Sequence, residues 1–365
     1  MSVDLEEILG RELHDVATTL QVPPMPALPR EQPRPSHGFR NALLVAAVIV
    51  LVVAAAVAIE AVGGGSREPS PAPPRLTIPT TPPTTPYVLD GKLYVSGTQV
   101  PGEWWSVQSG TAAWLAHRTD DTWWWGRDAT PYEIQDLDGV PVISPNGRYV
   151  AAVDDATSML TGFSTDAGGE GFGAARVDLG DPAVTGDPVH VTAVTDDGRV
   201  IAQGAAASVL WLPLVDNSTV DLTTGEPDPT VLGNTPAGLV VSDGDGGPQY
   251  LADVTDTGGL AGKDVLPGLD SFAVSPDGRW LAWTPAGSLG GEVTAVSSLD
   301  VQQLDGSGRA VLRPPSTWAL KVGAWTWEDD DHLVSVVVHD DGSAGERLVR
   351  CSAEAARCVL IRSAT

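Results

Sequence analysis

Hydrophobic and polar positions change rhythm several times along the chain. Leu5, Ile8, Leu9, Leu13, Val16 and Leu20 recur at three- and four-residue intervals, the period of one short amphipathic helix over about 3–21 that Pro23-Pro24 stops. From Ala42 to Ile59 the run ALLVAAVIVLVVAAAVAI carries no charge and no polar stripe. Its eighteen residues cover roughly 27 Å as a helix, close to the about 30 Å of a bilayer core. With Asn41 and Glu60–Val62 added, it predicts a transmembrane helix over 41–62, since a buried soluble helix normally keeps one polar stripe. Residues 63–87, GGGSREPSPAPPRLTIPTTPPTTPY, cannot bury a core and predict a stalk reaching on the order of 75 Å if extended.

From 88 to 365 the helical period gives way to short alternating runs separated by turns, an all-β pattern. VISPNGRYVAAV (142–153) and FAVSPDGRWLAWT (272–284) match closely, and AVTDDGRVIAQG (193–204) keeps their frame. Looser copies are LDGKLYVSG (89–97), TPAGLVVSDG (235–244) and WEDDDHLVSVVV (327–338). Their turns fall near 90, 146, 197, 237, 277 and 330, at intervals of 56, 51, 40, 40 and 53, the period of propeller blades. Six motifs predict six blades. The wide first interval holds further strand candidates, EWWSVQ, TAAWLAHR and TWWWGR, and leaves a seventh blade or a large insertion open.

The turn residues explain themselves conformationally. Pro145-Asn146-Gly147 and Pro276-Asp277-Gly278 place proline where its fixed torsion starts the turn and glycine where a left-handed residue closes it; Asp197-Gly198 repeats the second half. A structural role for these residues outweighs a catalytic one. Their pattern, S-P-[DN]-G-R followed by an apolar residue, resembles the TolB-type, WD-like propeller repeat over 88–365. The resemblance implies six or seven blades around an axial channel, with binding at its mouth or across one face. TolB-type proteins are soluble and periplasmic, whereas this chain has the tethered plan of actinobacterial-style envelope proteins.

The chain carries a formal net charge of −26. Residues 88–365 hold 39 acidic and 15 basic side chains, 15 − 39 = −24, with no basic stripe, which excludes nucleic-acid binding. Arg30, Arg34 and Arg40 before the apolar run, against Arg67 and Arg75 after it, place the N-terminus in the cytoplasm. The acidic face of the 2–22 helix argues against anionic lipid and suits a cytoplasmic partner or transient order. Cys351 and Cys358, the only cysteines, suit an oxidising exterior and a disulfide pinning a terminal hairpin; a reactive thiol pair would need more basic neighbours than Arg350 and Arg357.

Twelve tryptophans stand beside four phenylalanines, and Trp104, Trp105, Trp114, Trp123, Trp124 and Trp125 crowd together. Trp104, Trp105, Trp123, Trp124 and Trp125 are the candidate contact surface for a sugar or a partner protein, with packing between blades as the competing account. No nucleophile elbow, zinc signature or phosphate loop is present, and His117, His190, His332 and His339 stand isolated. Asp243-Gly-Asp245, Asp329–Asp331 and Asp136-Leu-Asp138-Gly139 complete no calcium loop, so neither metal nor cofactor is expected. The expected function is a single-pass, membrane-anchored extracytoplasmic propeller binding a protein, glycan or small ligand of the envelope. A surface hydrolase or lyase is the competing class, distinguished by paired carboxylates at the channel. An anti-sigma-factor-like regulator is a third, lacking the zinc motif common there.

Overall fold

Strands apolar on both faces need neighbours on both faces, and a ring of sheets supplies them. The computed structural model describes residues 78–363 except 136–138, 155–156, 167, 178, 180–188, 205–206, 223–228, 245–246, 256–258, 286–293, 340 and 342–344. All regular elements among the described residues are strands. The predicted helix at 3–21, the predicted span at 41–62 and the stalk up to residue 77 lie outside them. Met1–Pro74 and Arg75–Thr365 are separate units, and the second contains every described residue.

Seven antiparallel sheets follow one another along the chain. Blade 1 has three strands, β1 (Tyr87–Leu89), β2 (Lys92–Val95) and β3 (Thr98–Val100). Blade 2 holds β4 (Trp104–Ser109), β5 (Trp114–Arg118), β6 (Trp123–Gly126) and β7 (Tyr132–Glu133). Blade 3 holds β8 (Val142–Ile143), β9 (Tyr149–Asp154), β10 (Met159–Ser164) and β11 (Glu170–Arg176). Blade 4 comprises β12 (His190–Val194), β13 (Val200–Gln203), β14 (Ser208–Leu212) and β15 (Ser218–Asp221). Blade 5 comprises β16 (Pro229–Thr235), β17 (Gly238–Asp243), β18 (Gln249–Val254) and β19 (Leu260–Leu266). Blade 6 pairs β20 (Leu269–Val274) and β21 (Trp280–Pro285) with β23 (Leu299–Gln303) and β24 (Arg309–Leu312). Blade 7 adds β22 (Ala295–Val296) to β25 (Trp318–Trp327), β26 (His332–His339), β27 (Arg347–Ser352) and β28 (Arg357–Ile361).

Seven apolar clusters separate these sheets, one per junction. Leu93 and Trp114 lie between blades 1 and 2, Leu115 and Ile143 between 2 and 3, Leu160 and Trp211 between 3 and 4. Ile201 and Val231 lie between 4 and 5, Val240 and Trp283 between 5 and 6, Trp280 and Leu333 between 6 and 7. Leu89, Val334 and Leu348 close the ring between 7 and 1. Along β21 the alternation sends Trp280 and Ala282 toward blade 7 and Leu281 and Trp283 toward blade 5, as the period of two requires.

The ring therefore has seven blades, which corrects the preferred count of six. The three strand candidates in the wide interval are β4, β5 and β6, a whole blade whose first hairpin, Gly110-Thr111-Ala112, lacks the proline–glycine signature. The turn at Asp90-Gly91 belongs to blade 1 and joins its β1 to β2.

Cys351 and Cys358 are directly opposed on β27 and β28 and joined as a disulfide. They hold the outermost hairpin of the last blade, where fraying of an edge strand would start. Replacing both by serine is expected to lower stability by about 2–3 kcal/mol, the loop-closure value for so short a span. Thermal melts with proteolysis at residues 353–357 check it.

Candidate functional site

The first hairpin of each of blades 2 to 7 points to the same end of the ring, and the turn motif builds that mouth. Ser144 Oγ donates to Asn146 Oδ1 (2.7 Å), which also accepts from Arg148 N (2.9 Å), while Tyr149 N donates to Ser144 Oγ (3.0 Å). Ser275, Asp277, Arg279 and Trp280 repeat this relay at 2.6, 3.0 and 2.9 Å. In blade 4 Thr195 Oγ1 likewise donates to Asp197 Oδ1, but here Arg199 N donates to Thr195 Oγ1 (3.0 Å). Gly147, Gly198 and Gly278 sit at φ of 74°, 81° and 73°, the left-handed region that glycine enters without steric cost. The sequence motif S-P-[DN]-G-R includes the serine and explains the proline and glycine; the hydrogen-bonding role of the Ser or Thr at its head comes from the structure.

Adjacent hairpins are tied together. Ala112 N donates to Asn146 O (3.0 Å), Asn146 N to Asp196 Oδ1 (2.7 Å) and Asn146 Nδ2 to Asp196 O (2.9 Å). Asn234 Nδ2 reaches Val194 O (2.7 Å) and Ile143 O (3.2 Å), linking blades 3, 4 and 5. Burial, opposed by the Asn146 amide and helped by the neighbouring Asp197 charge, raises the Asp196 carboxyl above its ordinary range. A carboxyl held higher in the folded state is more costly ionised than in the unfolded chain, so stability is regained as pH falls through its folded value. Asp196→Asn keeps an acceptor for Asn146 N. It is expected to raise Tm at pH 7, a gain that shrinks toward pH 4 in parallel melts.

Behind the mouth lies an axial pocket of about 580 Å³, lined from blades 1, 2, 3, 5, 6 and 7. Its polar lining is mostly uncharged, including Gln108, Ser109, Thr111, Asn234 and Thr326, with Trp325 and Trp327 among the apolar groups. Ser109 Oγ is buried there without a hydrogen-bond partner. Among the described residues the charged lining groups are Arg127 and Glu328, and both are engaged. Arg127 pairs with Asp166. Glu328 is held by Arg350, Nε to Oε2 at 2.5 Å and Nη2 to Oε1 at 2.9 Å, with side chains 9% and 3% exposed. Arg350 also donates to Pro79 O and, at 3.1 Å, to Thr81 O, and Thr84 N donates to Glu328 Oε1 (2.8 Å). This buried pair pins the strap that leads into β1, and no local sequence signal announced it. Among the described residues no group of three or more His, Cys, Asp or Glu could hold a metal.

The predicted tryptophans divide by exposure. Trp104 is buried edge-on against Trp114 and Trp124 at 6.2 and 6.3 Å, with the Arg118 guanidinium over the Trp104 and Trp124 rings. Trp123 stacks on His117 at 4.4 Å. Trp125 is buried against Tyr132 and Phe163. Trp105, at a register shift in β4, is 67% exposed and lines a second cavity beside the axial pocket.

No protein-family model and no curated protein matches the sequence. Among solved structures, dihydro-heme d1 dehydrogenase NirN is similar at 17% identity and a TM-score of 0.40, over 81% of this chain and 60% of that one. An oligogalacturonate lyase from Vibrio parahaemolyticus is similar at 11% identity and 0.44, over 70% and 81%. A protein from Lactobacillus plantarum follows at 12% and 0.39, over 73% and 87%. At these values the likenesses carry nothing about function.

Proposed function

We propose that this chain is a membrane-tethered, extracytoplasmic propeller of TolB-like type that works by binding, with a protein, glycan or small ligand of the envelope seated in the axial pocket. The observation that supports binding over catalysis is the pocket lining. Glycoside hydrolysis uses two converging acids; among the described residues the lining has one, Glu328, already paired with Arg350. Uncharged hydroxyls and amides with two indoles suit polar recognition. Trp105 is the exposed contact beside it. The uncharged run at 42–59 and the cysteine pair support the tethered, exterior setting.

The test is titration of the full chain with soluble cell-wall fragments and with a random decapeptide library. Thr111→Trp, which puts an indole at the mouth from an exposed hairpin, is expected to weaken capture at least about tenfold, 1.4 kcal/mol, with Tm unchanged. Capture indifferent to that substitution, or turnover of a wall fragment, sinks the reading.

A further inference from the structure

Blade 1 lacks its first strand among the described residues, and its chain direction shows which one. In blades 2 to 7 the first strand ends at the pocket mouth. In blade 1 the residues at the mouth are Thr84–Pro86, which precede β1, Val95, which ends β2, and Ser96 after it. The β1–β2 turn lies at the far end, where Gly91 O accepts from Trp104 N (2.9 Å) at the start of β4. There Asp90 N also donates to Glu346 Oε2 (2.9 Å), just before β27. Thus β1 runs as a second strand does, and β1, β2 and β3 occupy the second, third and fourth places.

Among the described residues the inner edge of β1 is consequently open. Asp90 and Gly91 both have positive φ, 48° and 72°, so β1 and β2 meet in a two-residue hairpin whose closing pair, Leu89 and Lys92, exchanges both ladder bonds. Val88 comes next and directs its N–H and C=O away from β2. Among the described residues no strand pairs with that edge. In front of it lies the second cavity, about 140 Å³, bounded by Val88, Trp105 and Ser106, the Val322–Ala324 bulge of β25, and Val336. It shares Pro86, Val107, Gly323, Trp325 and Thr326 with the axial pocket.

Resting on the binding role proposed above, we infer that the partner is an extended, cationic polypeptide segment of another protein, added as the first strand of blade 1. An open edge presents a donor and an acceptor at strand spacing, which main-chain amides satisfy and sugars do not. Trp105 stands beside the edge as an exposed anchor for a partner side chain. The charge of −24 over 88–365 favours a basic segment and speeds its arrival. Three paired residues span roughly 10 Å, so the side chains beyond them enter the axial pocket.

The experiment pans the full chain against the random decapeptide library, then measures synthetic copies of the enriched peptides by fluorescence anisotropy. Enrichment of alternating β-branched and basic residues is expected. N-methylation of the peptide amide that donates to Val88 O should weaken binding about tenfold. Val88→Pro, which removes the outward N–H without touching the β2 ladder, should weaken it similarly, and Trp105→Ala should too. Hydrogen exchange at Val88 should be fast in the free chain and slow by about tenfold or more with peptide bound. Peptides that bind but ignore N-methylation and Val88→Pro overturn strand addition and leave pocket binding standing. So does a Val88 amide already protected in the free chain, which would mean that one of the chain's own segments, 63–77 or 286–293, fills the place. Failure to enrich any peptide also overturns it, and wall-fragment capture sensitive to Thr111→Trp would still uphold the pocket.

Discussion

Arg350→Met is expected to destabilise the propeller by about 3–5 kcal/mol and to free the strap from Pro79 to Thr84. The guanidinium is 3% exposed, and its removal leaves the Glu328 carboxylate buried beside an empty place. Desolvating an unpaired charge costs more than the pair contributes. Two backbone acceptors, Pro79 O and Thr81 O, lose their donor at the same time. Adding Glu328→Leu removes the stranded charge, so the double variant should recover part of the loss. It should not restore the strap, because the two carbonyls still lack a partner. Chemical denaturation of both variants, read beside protease cleavage within 79–84, separates the two effects. A single variant as stable as the parent would mean that water reaches the pair.

Trp114→Ala should cost about 3–5 kcal/mol, whereas Trp105→Ala should stay within about 0.5 kcal/mol. Trp114 is 1% exposed, packs between blades 1 and 2 and donates Nε1 to Asp128 O (2.8 Å). The structure is shaped around it: a methyl group at Gly126 would stand 2.5 Å from its ring. Truncation leaves a cavity the size of an indole and an orphaned carbonyl. Trp105 lies nine residues earlier in the same blade and points out, so its loss should register in binding and not in melting. Equal melts for the two variants would contradict the inside–outside division of this blade.

These residues also show how far the letters reach. The blade architecture was legible because S-P-[DN]-G combines torsions that only a tight hairpin uses, and because alternation with both faces apolar demands neighbours on both sides. The disulfide was legible because six residues between two cysteines in a strand–turn–strand pattern set them opposite each other. The seventh blade was legible only as an open alternative, from three strand candidates in the wide first interval, since Gly110-Thr111-Ala112 turns without proline. Nor was the sorting of the tryptophans. Alternation tells that Trp104 and Trp105 face opposite ways, but which way is inward depends on a bulge and on the blade standing next to it.

Local physical chemistry, read from the sequence, determined the class of this protein: β-strands with two apolar faces, hairpins closed by left-handed glycines, an acidic surface and a bridged terminal hairpin. Each is a property of neighbouring residues. The tertiary structure alone decided the number of blades, the partnership of Glu328 with Arg350 twenty-two residues away and with Thr84 at 244 residues' distance, and the edge of β1 that no strand pairs among the described residues. Those depend on ring closure, which brings the first and last blades together and places side by side groups that no short window of sequence can pair.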